Sequence, residues 1–184
     1  MPQPAHQTTL TVDAYLAGED GADQRHEYIA GQLYAMTGAS ARHALIAGNL
    51  FAALRPCVRG TPCQLFINDM KVHLRIDGQD LFYYPDLLLS CDPQDRETYF
   101  RSRPCLLVEV LSESTERIDR REKFWAYRML PSLQEYLLIS QTERRVEIYR
   151  RSADWGCETV TAGDLRLDCL PAEIGLDTLY EDVL

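Results

Sequence analysis

The stretch that decides the reading runs LFYYPDLLLS (residues 81–90), then a charged loop, then RPCLLVEVLS (103–112) and ESTERIDRREKFWAYR (113–128). Two apolar runs each hold one carboxylate, Asp86 and Glu109, and the helical stretch that follows delivers Lys123. An ionised carboxylate taken out of water is costly unless a cation or hydrogen-bond donors compensate it. Two of them on neighbouring buried strands point to a metal ion as the missing compensation. Mg²⁺, with Mn²⁺ as its substitute, is typically held by one or two carboxylates, and water and substrate phosphate fill the remaining positions. A single acid near a strand end is ordinarily a cap or a salt-bridge partner. It is the order that favours a site: strand with Pro-Asp, strand with Glu, helix with Lys.

Working outward, Leu81–Ser90 is predicted as one strand, kinked at Pro85, where proline removes a ladder donor and re-aims Asp86. Leu106–Leu111 is a near-continuous apolar run, the pattern of a strand covered on both faces. Several N-cap choices lie in Ser112–Thr115, and a helix from Glu116 to Leu130 stops before Pro131. Arg120, Lys123, Phe124 and Tyr127 share one side of it, Ile118, Arg121, Trp125 and Met129 another. A strand at Glu135–Ile139 completes a βαβ crossover. Arg145–Arg150 alternates as an edge strand, Trp155–Leu170 suits a hairpin on that edge, and Pro171–Leu184 is an acidic tail ending in a short helix.

Upstream, residues 1–9 are expected to be disordered, and Thr11 caps a helix over Val12–Ala17. His26–Ile29 and Gln32–Met36 flank Ala30-Gly31, a two-residue hairpin signal. Ser40 caps a helix whose Leu45, Ile46, Leu50, Ala53 and Leu54 form an apolar stripe. Cys63–Ile67 and Lys71–Ile76 are strand-like. On residue type alone, Glu27 reads as a solvent-facing strand residue, His43 as structural and Lys71 as solvated. The whole is expected to be a single α/β (α+β) domain over residues 1–184, a mixed central sheet flanked by helices.

No apolar run reaches the roughly 18 residues of a membrane span, and MPQPAHQTTL lacks a basic start and an apolar h-region, so no signal peptide and no membrane partner are expected. The six cysteines form no CxxC pair and no zinc-like cluster with His, which reads as reduced thiols in a cytoplasmic protein without a structural metal. The net charge of −9 argues against nonspecific coating of nucleic acid. That acidity lies in the ends, however: residues 25–152 hold 18 bases and 16 acids.

Taken in order, RHEYIAGQLYAM, GASARHALIAGNLFAALR, YYPDLLLSCDP, LLVEVLSEST, DRREKFWAYRMLPSLQEYLLI and VEIYRR resemble the PD-(D/E)XK nuclease superfamily and, within it, the Uma-two type of restriction endonuclease domain, over roughly residues 10–182. The resemblance implies a restriction-endonuclease-like core and a Mg²⁺-dependent endonuclease acting on DNA, with a homodimer among the expected assemblies. It implies catalytic roles for Asp86, Glu109 and Lys123, and it raises Glu27, because superfamily members often place a site-completing acid in the N-terminal part. His43 and Tyr127 follow as second-rank site residues. Asp86 and Glu109 supply hard oxygen ligands, and the Val110 carbonyl is a further one. The superfamily pattern places its lysine two residues after the glutamate, where this chain has Leu111; some members carry the lysine on the following helix, and Lys123 is the matching residue.

Three functions follow: a metal-dependent DNA endonuclease, a nucleic-acid-binding or regulatory module of the same fold with weak or no catalysis, and another metal-dependent hydrolase acting on small phosphorylated or carboxylated substrates. Two further expectations concern the site. Asp86 and Glu109 should titrate as a coupled pair with one pKa raised, and Lys123→Ala should leave the fold intact.

Overall fold

The computed structural model describes residues 9–183; the expected disorder of residues 1–9 lies outside them except at Thr9. In chain order the elements are α1 (Val12–Glu19), β1 (His26–Ile29), β2 (Gln32–Ala35), α2 (Ala41–Leu54), β3 (Gln64–Ile67), β4 (Lys71–Ile76), β5 (Gln79–Tyr83), β6 (Leu87–Ser90), β7 (Phe100–Arg101) and β8 (Leu106–Leu111). There follow α3, a composite helix over 116–128, then β9 (Glu135–Ser140), β10 (Val146–Arg150), β11 (Cys157–Val160), β12 (Asp164–Leu167), β13 (Ala172–Gly175) and a last helical turn, Leu176–Leu179. Local chemistry explains several boundaries. Ser40 Oγ accepts the amide of His43 at 3.2 Å and starts α2. Ala30 and Gly31 sit at φ 50° and 90°, the pair of positive angles that a tight turn between β1 and β2 requires.

The mixed α+β class is as the sequence indicates, and the strands divide into separate sheets. One has six strands in the order β11-β10-β9-β8-β6-β3, with β8 and β9 parallel; a second has five in the order β2-β1-β5-β4-β7; β12 and β13 form a separate pair. The single strand expected over Leu81–Ser90 is therefore two. β5 ends at Tyr83 in the five-stranded sheet and β6 begins at Leu87 in the six-stranded one. Pro85, with no N–H to give to either ladder, sits at the change of sheet, so Asp86 emerges where the two sheets meet. β11 adds to the free side of β10, as the hairpin expected over Trp155–Leu170 implies, but β12 does not return along β11 and pairs with β13 instead.

β8 shows why this order positions a site. Its alternate residues face opposite ways. Leu106, Val108 and Val110 pack with Ile46, Leu50 and Leu54 of α2, while Leu107 and Leu111 pack with Ala126 and Tyr127 of α3. Burial of each such side chain stabilises by about 1.5–3 kcal/mol, so both helices are held firmly against the sheet. Glu109 shares the parity of Leu107 and Leu111 and therefore points toward α3. The cysteines depart from expectation at one pair: Cys63 and Cys91, just beyond the paired ends of β3 and β6, form a disulfide.

Candidate active site

α3 is not a uniform α-helix. It begins as Glu116–Ile118, passes through a π-helical turn at Asp119–Lys123 and ends as Phe124–Arg128. The amide of Phe124 donates to the Asp119 carbonyl, five residues back, which widens the helix there. Asp119 and Lys123 are buried by this turn while Arg121 and Glu122 stay exposed. Lys123 is thus only 5% exposed and sits over Glu109, not in solvent.

Three acids surround that one cation. Lys123 Nζ lies 3.1 Å from Glu109 Oε1, 3.1 Å from Glu27 Oε1 and 3.3 Å from Asp119 Oδ1. Tyr127 donates its hydroxyl to the same Glu109 oxygen at 3.0 Å. Asp119 Oδ1 is buried and, despite its closeness to Lys123, has no hydrogen bond of acceptable geometry. An excess of negative charge shares one ammonium out of water. Burial is the main reason the Glu109 carboxyl is held well above the usual carboxylate range; Lys123 opposes that shift, and Asp119, then Asp86 and Glu27, reinforce it. The Asp119 carboxyl is raised likewise, by burial first. Burial acts to lower the Lys123 pKa, but the fields of Glu109, Glu27 and Asp119 outweigh it and hold the ammonium protonated well above its ordinary range. The three shifts agree in direction: burial first raises the two carboxyls, and the excess of acids over the one cation adds to this and keeps Lys123 protonated. The charge next to Glu109 that matters most after Lys123 is Asp119, ahead of the Asp86 expected as its partner.

Asp86 joins the cluster from the other side. Its Oδ2 accepts the amide of Val110 at 2.6 Å, which ties the change-of-sheet segment to the residue following Glu109. His43 Nε2, in the first turn of α2, lies 3.1 Å from the same oxygen. Burial acts to lower the His43 pKa, but the hydrogen bond and charge of Asp86, with smaller help from Asp119 and the Val110 backbone, leave it raised above 6.5.

The structure therefore brings together Glu27, His43, Asp86, Glu109, Lys123 and Tyr127, with the Val110 backbone among them. Glu27 is not solvent-facing; besides Lys123 it meets the amide of Tyr84 at 3.4 Å. Lys71 is not solvated either: it is buried beneath the rings of Tyr84 and Tyr99, at 5.0 and 5.9 Å from their centroids, and burial lowers its pKa. Asp119 is the participant that the sequence reading did not single out. Its signal was present, because it stands four residues before Lys123 on the same helix and so shares its face.

Chemically, Asp86 and Glu109 each commit one oxygen to the protein, and among the described residues Asp86 Oδ1 and Glu109 Oε2 carry no hydrogen bond. Two hard oxygens beside an acid-rich, proton-retaining cluster suit a divalent cation. Among the described residues no three His, Cys, Asp or Glu side chains converge as a preformed cage.

A match to the family described as "Uma2: Putative restriction endonuclease" spans residues 12–178, and the chain belongs to that family. Among its relatives are "Uncharacterized protein slr1290" of Synechocystis sp. (strain ATCC 27184 / PCC 6803 / Kazusa), 37% identical over 175 residues covering 93% of this chain and 91% of the relative, and "Uncharacterized protein sll1609" of the same strain, 35% identical over 148 residues covering 79% and 82%. A crystal structure described as "a putative nuclease belonging to DUF820 from Anabaena variabilis ATCC 29413" superposes with a TM-score of 0.72 at 15% identity, covering 95% of this chain and 99% of that one, and establishes the shared nuclease-like fold.

Proposed function

We propose that this chain is a metal-dependent DNA endonuclease that hydrolyses phosphodiester bonds, with Mg²⁺ as the ion and Mn²⁺ as its substitute. The observation that carries the reading is the juxtaposition of Asp86 and Glu109, each with one uncommitted oxygen, beside a buried lysine. Asp86, Glu109 and the Val110 carbonyl would hold the ion; when bound, it supplies a Lewis acid and an acidified water. Lys123 donates hydrogen bonds from a position fixed by Glu109 and Glu27, so it orients the nucleophile and offsets charge developing on phosphate. Tyr127 fixes the Glu109 oxygen that faces Lys123, and Glu27 keeps that lysine protonated. His43 holds Asp86 Oδ2 in place. Family membership and fold support the nuclease class. No helix among the described residues is long and apolar enough to cross a membrane, and we place the activity in the cytoplasm, where DNA is the substrate.

The test is cleavage of supercoiled DNA by the purified chain with Mg²⁺, Mn²⁺ or Ca²⁺, beside the Asp86→Asn variant. Metal-dependent nicking that Asp86→Asn abolishes is the expected result. Duplex binding at low salt with no cleavage under any ion would move the reading to a nucleic-acid-binding module; absence of both would leave a hydrolase of small substrates. Light scattering across a concentration series tests the accompanying expectation of a homodimer.

A further inference from the structure

Four of the six cysteines meet at the end of β6 opposite to Asp86. Cys63 and Cys91 are disulfide-bonded. Cys105, which just precedes β8, places its Sγ 3.8 Å from the Sγ of Cys91. Cys169 is the neighbour of Cys105 whose thiol most affects its titration. All four are partly buried against the core around α2. Cys63 also lines a cavity of about 540 Å³ together with Arg55, Arg59 and Arg96. Among the described residues none of these three arginines has a carboxylate within ion-pair distance, in a chain of net charge −9.

We propose that these cysteines form a thiol–disulfide exchange relay, in which Cys105 takes Cys91 from Cys63 and delivers a reactive thiolate to the arginine-lined cavity, where anionic thiol-reactive small molecules meet it. In the exchange the Cys105 thiolate attacks Cys91 Sγ. The Cys91–Cys105 bond forms as the Cys63–Cys91 bond breaks, and the electron pair leaves on Cys63 Sγ. The proton lost by Cys105 ends on solvent or on Cys63, so neither oxidant nor reductant is consumed. Two features favour both ends of the step. Cys105 already directs its thiol at Cys91 Sγ, and the neighbouring Cys169 thiol lowers the Cys105 pKa while its own is raised. At the other end, a thiolate released at Cys63 shares its cavity with three guanidinium groups that carry no ion pair among the described residues, the setting that lowers a thiol's pKa and makes it a good leaving group. The bond that moves otherwise pins β3, the terminal strand of the six-stranded sheet, to β6. The device does not involve the proposed catalytic groups, so its test is independent of nuclease activity.

The test is disulfide mapping of the full chain purified without reductant, with free thiols blocked in acid before digestion. Trypsin leaves Cys63, Cys91 and Cys105 on separate peptides, Gly60–Lys71, Ile76–Arg96 and Ser102–Arg117. Both Cys63–Cys91 and Cys91–Cys105 linked peptides are expected in the wild type. Cys105→Ser should retain only the first, and Cys63→Ser should form the second on mild oxidation. Iodoacetate, compared with neutral iodoacetamide, should favour Cys63 over the exposed Cys157 by several-fold. A wild-type map with Cys63–Cys91 alone, or with every cysteine free, overturns the relay whatever the variants do. Equal labelling preferences at Cys63 and Cys157 overturn the anion-selective cavity.

Discussion

Lys123 Nζ sits 3.1 Å from Glu109 Oε1, across from a strand fourteen residues earlier, and both groups are almost wholly out of water. The pair stands where β8 turns one residue of an otherwise apolar run toward the π-helical turn of α3. The lysine is consequently structural as well as a candidate for chemistry. The expectation that Lys123→Ala would leave the fold intact does not suit a residue that neutralises three buried acids.

Removing Lys123 should therefore destabilise the protein by about 3–5 kcal/mol, the scale of a buried charge left unpaired. Urea denaturation of Lys123→Ala at neutral pH measures it. The double variant Lys123→Ala/Glu109→Gln should recover part of the loss, because one of the stranded carboxylates is gone. Full additivity of the two substitutions would mean that the groups do not interact.

The same cluster sets a pH dependence with two limbs. Lys123 has a folded pKa above its unfolded value of about 10.4. Its contribution is fully present below that value and is lost as pH rises through the folded one, so alkaline unfolding should be steeper in the wild type than in Lys123→Met. Glu109 also has a raised folded pKa, so the same sign applies in a lower window: between about 4.3 and the folded value, rising pH removes stability. Glu109→Gln should then gain on the wild type as pH increases from 4 toward neutrality. A difference in unfolding free energy that stays flat over that interval would contradict the burial of an ionisable Glu109.

His43 should tune access to Asp86. Its folded pKa is raised by Asp86, so its stabilising contribution is full below about 6.5 and declines as pH rises through the folded value. A protonated His43 also competes with a cation for Asp86 Oδ2. On the proposed function, Mn²⁺ affinity measured by calorimetry should increase with pH above 6.5 in the wild type, and His43→Asn should flatten that increase. Equal pH slopes would remove His43 from the site.

Much of this arrangement was legible in residue order and apolar periodicity. The parity of β8 alone directs Glu109 toward α3, and a buried carboxylate demands a partner that the next helix must provide. Less legible were features set by pairing at a distance. Pro85 signals an irregularity, but nothing local distinguishes a kinked strand from a strand that changes sheets. The π-helical turn leaves an ordinary helical sequence pattern at Asp119–Lys123, since one extra residue per turn alters facing without altering composition. Cys63 and Cys91, 28 residues apart, become neighbours through the β3–β6 register alone. Glu27 looked solvated because its strand is short and polar; it is drawn out of solvent, to half-buried, by contacts with Lys123 and Tyr84, which arrive from other elements.

Asp119 yields the sharpest separation between stability and chemistry. Its Oδ1 is buried 3.3 Å from Lys123 without a well-formed hydrogen bond, and its carboxyl pKa is raised chiefly by burial. A buried acceptor that lacks a good partner contributes little and costs about 1–3 kcal/mol in desolvation. Asp119→Asn keeps the volume, removes a charge that Glu109 repels, and leaves Lys123 two carboxylates to pair with. Its stability should be within about 1 kcal/mol of the wild type, or higher, as read by thermal or urea unfolding. The same substitution removes one of the fields that raise the Glu109 pKa, so the Glu109 carboxyl, followed by NMR, should titrate at lower pH. If Lys123 orients a nucleophile, the variant should also cleave with an altered rate at unchanged DNA affinity. Severe unfolding of Asp119→Asn would show instead that the acid is needed to hold Lys123 in place, and an unmoved Glu109 titration would show that the two carboxyls are not coupled.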